Sequence, residues 1–148
     1  MPLIEQKADV VWQGNLRDGS GKLTVATVAF PQQDVTFKAR TEGGEKQTTP
    51  EELIAAAHAA CYSMAFSNYL SQTNKTPPTT LHTTATTALD RVEGGLKITR
   101  IQLDVEGDVP GVDAGDFQRL AEEAEQRCPV SNALRGNVEI AVNAKLMS

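Results

Sequence analysis

An α+β fold, largely antiparallel, with runs of strands around two helices, is predicted by three observations. Short alternating segments fall in runs on either side of one long helical segment instead of alternating with helices one for one, which separates this pattern from a doubly wound sheet. That helical segment, residues 49–72, carries no charged residue after Glu52, so it requires cover on most of its sides. The chain has 148 residues and shows no repeat, linker or low-complexity stretch, which fits one domain over residues 1–148 with a sizeable core. A chain of this size supplies little cover for such a helix, so burial against a partner subunit is expected.

The first third reads as strands. "DVVWQGNL" is short and rich in β-formers, and "GKLTVATVAF" alternates apolar and polar residues after the turn-like "RDGSG". "DVTFKAR" alternates again, with Val35, Phe37 and Ala39 on one side and Thr36, Lys38 and Arg40 on the other. Arg40 is thereby expected at the end of a strand, before the loop "TEGGEKQ", where it can reach into a site.

The helix "TPEELIAAAHAACYSMAFSNYLSQ" opens with Thr49 at the N-cap position and Pro50 at the first helical position, where the missing N–H costs nothing. Glu52, three residues after Thr49, completes a capping box. Leu53, Ile54, Ala57, Ala60 or Cys61, Met64 and Ala65 recur at helical spacing, and Leu70 extends that face.

Pro77 and Pro78 break the chain inside "TNKTPPTT". "LHTTATTALD" is a strand with Leu81, Thr83, Ala85, Thr87 and Leu89 on one face, and "DRVEGG" turns it into the strand "LKITRIQLDVEGDV". The apolar phase of that strand slips between Ile98 and Ile101, which predicts a bulge. A second helix, capped by Asp113 with Asp116 three residues later, presents Phe117, Leu120, Ala121 and Ala124. Pro129 either ends this helix or starts a short one with Cys128 at its N-cap. "NVEIAVNAKL" is a closing strand.

A net charge of −5 without a basic stripe argues against nucleic acid as a partner. No apolar run approaches the roughly 20 residues that span a bilayer, and the first residues lack the pattern of a secretory signal. A cytoplasmic location away from membranes is therefore expected. Cysteines in that compartment seldom form permanent structural disulfides, which leaves catalysis, redox sensing, metal binding and packing for the two thiols.

Cys61 lies about three turns into the long helix among alanines that let a ligand or another backbone come close. The segment alone is equally compatible with packing. A reactive thiol needs a lowered pKa, and the helix dipole does not act mid-helix, so a nearby cation is required. Arg40 is the candidate, and Glu51 can orient its guanidinium bidentately. Arg40 taken alone also reads as a surface residue, and Glu51 as a partner of the helix N-terminus. Glu51 and Cys61 are ten residues apart, roughly 15 Å along a continuous helix. They serve one site only if they come from different chains or the helix breaks. Cys128, ahead of a proline, is the second thiol, and reads equally as a core residue ending a helix. His58, one turn before Cys61, admits a Cys–His acyl-transfer reading, and His58 and His82 with the two cysteines admit a zinc site. There is no Cys-x-x-Cys, and the four residues are scattered.

"TTPEELIAAAHAACYSMAFSNYL" followed much later by "CPVSNAL" resembles the osmotically inducible protein C and organic hydroperoxide resistance (OsmC/Ohr) family, and "AAHAAC" resembles its OsmC branch. The N-terminal W-x-G and G-x-L segments and the last strand extend the resemblance over nearly the whole chain. It implies an intertwined homodimer whose largely antiparallel sheets wrap around long central helices, with two active sites at the subunit interface. By motif it implies Cys61 as peroxidatic cysteine, Cys128 as resolving cysteine, Arg40 as the arginine before the long helix and Glu51 as the glutamate after its first proline. The implied activity is a thiol-dependent reduction of alkyl or fatty-acid hydroperoxides in stress defence, through a Cys61 sulfenic acid and a Cys61–Cys128 disulfide. An external dithiol, of lipoyl type in some members, would restore the thiols, with no metal, haem or flavin. A stress-response ligand-binding protein with marginal peroxidase activity is the alternative.

Overall fold

The computed structural model describes residues 1–44, 46–74 and 76–147. The expected loops over 41–47 and 73–80 each contain a residue outside this set, Glu45 and Lys75. The chain forms two compact units, Met1–Pro50 and Glu51–Ser148.

The first unit is an antiparallel sheet of β1 (Ala8–Gln13), β2 (Ser20–Val25) and β3 (Gln33–Val35), in that spatial order, with a short helix α1 (Phe37–Glu42). The β1–β2 turn is closed by Asn15, whose side chain accepts from the Asp18 N–H at 2.7 Å and whose carbonyl accepts from Gly19 at 2.9 Å. The strand expected to continue to Phe30 stops at Val25. A turn closes there, with the Val28 N–H on the Val25 carbonyl and Val28 at φ 54°.

"DVTFKAR" is not one strand. Only Val35 and the residues before it pair in the sheet, and Arg40 lies in the last turn of α1. Thr36 decides this. Its hydroxyl accepts from the Ala39 N–H at 3.1 Å and donates to Gln47 Oε1 at 3.0 Å, a helix N-cap that outcompetes the ladder for the backbone. Gly43, at φ 77°, ends the helix, a conformation that suits glycine.

The second unit holds α2 (Pro50–Thr73), β4 (Thr80–Val92), β5 (Gly95–Asp108), α3 (Ala114–Glu125), α4 (Pro129–Leu134) and β6 (Glu139–Leu146). β4 and β5 form a long antiparallel hairpin, and β6 joins the other edge of β5 in parallel. This parallel pair is the one departure from an antiparallel second sheet, and α3 and α4 lie in its crossover. Ala88 pairs with Arg100 and Leu89 with Ile98, so Thr99 is the extra residue of a bulge at the expected place. Gln118 on α3 covers the exposed edge of β6, donating to the Val142 carbonyl and accepting from the Ala144 N–H.

The core lies between one face of α2, the inward residues Ile101, Leu103 and Val105 of β5, and the stripe Phe117, Leu120, Ala121 and Ala124 of α3. The Asp113 carboxylate caps α3 through the Asp116 N–H at 2.8 Å. Tyr62, Phe66 and Phe117 form a run of tilted rings with centroids 5.7 and 5.3 Å apart. Gly107 leaves the space that the Phe117 ring fills, since a Cβ there would stand 2.4 Å from it.

The buried face of α2 is His58, Tyr62, Phe66 and Leu70, with Ile54, Cys61 and Ala65 packed at its border. This corrects the expected stripe. Ala57 and Ala60 are exposed, and Met64 is 72% exposed. The volumes of Tyr62 and Phe66 set the helix's rotation, because burying a large ring contributes more than burying an alanine methyl. No helix among the described residues is long and apolar enough to cross a membrane.

Candidate active site

The two thiols meet where α2 faces the start of α4. Pro129 starts the short helix, so of the two readings open in the sequence the second holds, with Cys128 at the N-cap in an extended conformation. Its Sγ accepts from the Ser131 N–H at 3.5 Å. Cys128 is fully buried and Cys61 partly exposed, and both are free thiols. The far end of α4 is held to α3, where Arg135 pairs with the buried Glu125 carboxylate and donates to the Glu125 carbonyl at 3.2 Å.

Burial and two neighbours act on Cys61. Burial pushes its pKa up, the Val130 N–H pulls it down, and hydrogen bonding and charge repulsion with Cys128 push it up again, for a net rise. Val130 occupies the first turn of α4, where backbone N–H groups have no partner within the helix. This turn therefore gives the sulfur a donor, while the second thiol stands against it.

His58 points at α4 and not at Cys61. Its Nε2 lies 2.6 Å from Ser131 Oγ, both side chains are fully buried, and Nδ1 has no hydrogen-bond partner among the described residues. An unpaired buried N–H is rarer in proteins than an under-satisfied acceptor, which assigns the proton to Nε2 and makes His58 the donor to Ser131. The acyl-transfer pairing of Cys61 with His58 is thus not formed. His82 is on β4, exposed, and no group of three or more His, Cys, Asp or Glu side chains with the arrangement of a metal site occurs among the described residues. The zinc alternative finds no support in that arrangement.

Burial lowers the pKa of His58 below its ordinary 6.5. Above pH 6.5 both folded and unfolded chains hold it neutral. Below that, the unfolded chain binds a proton that the folded chain refuses, so stability falls with pH by at most about 1.4 kcal/mol per unit from this group. Urea midpoints of the native protein are expected to drop between about pH 7.5 and 5.5 more than those of His58→Gln. Equal drops would contradict the burial of a neutral imidazole.

Arg40 belongs to the first unit. It lines a small apolar pocket of about 130 Å³ with Trp12, Leu16, Val35, Phe37 and Pro50. Glu51 is buried at the second position of α2. The helix runs unbroken from Pro50 to Thr73, so the roughly 15 Å between Glu51 and Cys61 stands. Sequence reasoning did not single out Val130 or Ser131. The signal was present in "CPVS": a residue at an N-cap position followed three residues later by one whose N–H it can bind.

The family model described as OsmC-like protein matches residues 43–143. The chain belongs to this family. Among its OsmC-like relatives, peroxiredoxin OsmC of Escherichia coli (strain K12) is 42% identical over 142 residues, covering 96% of this chain and 98% of that one. The organic hydroperoxide resistance protein of Xanthomonas axonopodis pv. citri (strain 306) is 33% identical over 99 residues, covering 67% and 68%. Among solved structures, the organic hydroperoxide resistance protein OhrB of Bacillus subtilis superposes with a TM-score of 0.78 at 26% identity, covering 97% of this chain and all of that one. The greater extent and identity of the first match support the OsmC branch.

Proposed function

We propose that this OsmC-like chain is a cysteine-based peroxidase that reduces organic hydroperoxides to alcohols in a cytoplasmic stress defence, with residues 1–148 acting as one domain. The observation that carries the reading is the interaction of the chain's only two thiols across α2 and α4. Cys61, the more exposed, is the attacking group and the buried Cys128 the resolving one.

The Cys61 thiolate attacks the outer oxygen of R–O–OH. The O–O bond breaks, the alkoxide takes a proton and leaves as alcohol, and Cys61 is oxidised to a sulfenic acid. Cys128 then displaces the hydroxyl, forming the S–S bond and releasing water. An external dithiol, of the lipoyl type in some members of the family it resembles, returns both thiols by exchange. Arg40 supplies the cation that burial makes necessary, stabilises charge developing on the peroxide oxygens, and is oriented by Glu51. The apolar residues around Arg40 suit an alkyl group.

A homodimer is part of the same reading, because an unbroken α2 would bring a Glu51 and a Cys61 into one site only from different chains. The exposed face of α2, with Ala56, Ala57, Ala60 and Met64, and the exposed Val10, Val11 and Trp12 of β1 also call for cover. Sedimentation equilibrium is expected to give the mass of two chains, and Ala60→Glu, a charge on that face, to give one chain with lost turnover. A fully active monomer would contradict the shared site. The activity itself is tested by supplying cumene hydroperoxide and dihydrolipoate and measuring alcohol. Alcohol formed at one equivalent per dithiol oxidised supports the reading, and no alcohol above the protein-free rate refutes it.

A further inference from the structure

Two cross-links join the same pair of helices side by side. His58 and Cys61 stand three residues apart on α2, Ser131 and Cys128 three residues apart at the start of α4, and His58 bonds Ser131 where Cys61 meets Cys128. Ser131 is tied to the second thiol as well, since its own N–H is the donor to Cys128 Sγ. Burial lowers the pKa of His58, so the His58–Ser131 bond is a neutral one between fully buried partners.

We infer that His58, acting through Ser131, is a positioning residue for the resolving step, holding the first turn of α4 so that Cys128 Sγ lies in line with the sulfur of oxidised Cys61. The inference rests on the peroxidase reading and deepens it. In that step the Cys128 sulfur forms the S–S bond, the Cys61 S–O bond breaks, and the Cys128 proton leaves with the hydroxyl as water. The reaction is balanced between the two residues, without a further oxidant. What it requires from the protein is alignment, and small misplacements are costly in such reactions. The attack on hydroperoxide draws on the same turn only through the Val130 N–H and needs no alignment of Cys128, so its demand on the His58–Ser131 bond is smaller.

The two steps separate in stopped-flow experiments with one equivalent of cumene hydroperoxide. Sulfenic acid is trapped by dimedone at successive times, and disulfide is followed by mass. Ser131→Ala and His58→Leu are each expected to slow disulfide formation roughly 10-fold or more, while the consumption of hydroperoxide slows far less. The double variant is expected to be no slower than the slower single one, because both remove one bond. His58→Gln, whose amide nitrogen can occupy the place of Nε2, is expected to restore most of the rate. Ser131→Ala removes a single oxygen and keeps the test valid should His58→Leu fail to fold. Resolution at the native rate in Ser131→Ala would overturn the inference. So would equal slowing of both steps with no rescue by glutamine, the mark of a general packing defect. Native protein that never forms the disulfide would instead overturn the peroxidase reading itself, and the inference with it.

Discussion

Cys61→Ser is expected to abolish hydroperoxide turnover, by roughly 10³-fold or more, whereas Cys128→Ser retains a single oxidation and then stops. The difference follows from the unequal surroundings of the two sulfurs. Cys61 is partly exposed and receives the Val130 N–H, while Cys128 is fully buried with its sulfur turned to the Ser131 N–H. A hydroperoxide in solution can reach the first and not the second. With serine at 61 there is no group to accept the oxygen, because a hydroxyl is a far weaker nucleophile than a thiolate. With serine at 128 the sulfenic acid forms but no disulfide closes, so it persists until dimedone or a small thiol captures it. The check is alcohol production together with dimedone labelling of each variant. Full turnover by both would end the assignment of a redox pair. Labelling in Cys61→Ser with none in Cys128→Ser would reverse the roles.

Arg40→Ala carries the second large effect. Burial and the Cys128 thiol push the pKa of Cys61 up, and the Val130 backbone N–H opposes them without reversing the rise. A thiol left so would be mostly protonated at neutral pH and slow to react. If the Arg40 guanidinium supplies the missing charge, its removal raises the pH at which Cys61 becomes alkylated. It also takes away a donor from the developing alkoxide, and the rate with hydroperoxide is expected to fall by roughly 10²–10³. Iodoacetamide labelling of Cys61 against pH, in native and Arg40→Ala protein, reads the first effect. A coincident pair of profiles would exclude Arg40 from the site. Because Glu51 sits roughly 15 Å from Cys61 on the same helix, a mixture of Glu51→Ala and Cys61→Ser chains is expected to regain part of the turnover once subunits exchange.

Features specified by local chemistry were legible in the sequence. The start of α2 at Pro50, the Asp113 cap of α3 and the bulge at Thr99 each depend on a few adjacent residues, and each was read from them. The rotation of α2 was not. An alanine-rich run gives nearly every face the same affinity for the core, and the outcome rests on where Tyr62, Phe66 and His58 find partners on other elements. The segment around Arg40 shows the opposite failure. Its alternation is genuine as a pattern, yet the Thr36 cap and Gly43 convert it to helix after Val35, a local signal weaker on paper than the alternation it overrode. The parallel register of β6 depends on the crossover through α3 and α4, which no single segment encodes. Within the site, the pair of cysteines was legible as chemistry, but their meeting depends on α4 folding back over α2. Val130 and Ser131 acquire their roles only from that meeting.

The central claim is that Cys61 and Cys128 form one redox couple. Intact-protein mass spectrometry with thiol counting, before and after one equivalent of cumene hydroperoxide and without added reductant, tests it most directly. The account predicts loss of both thiols with a mass decrease of two hydrogens, reversed by dihydrolipoate. Two unreacted thiols in the folded protein would contradict it.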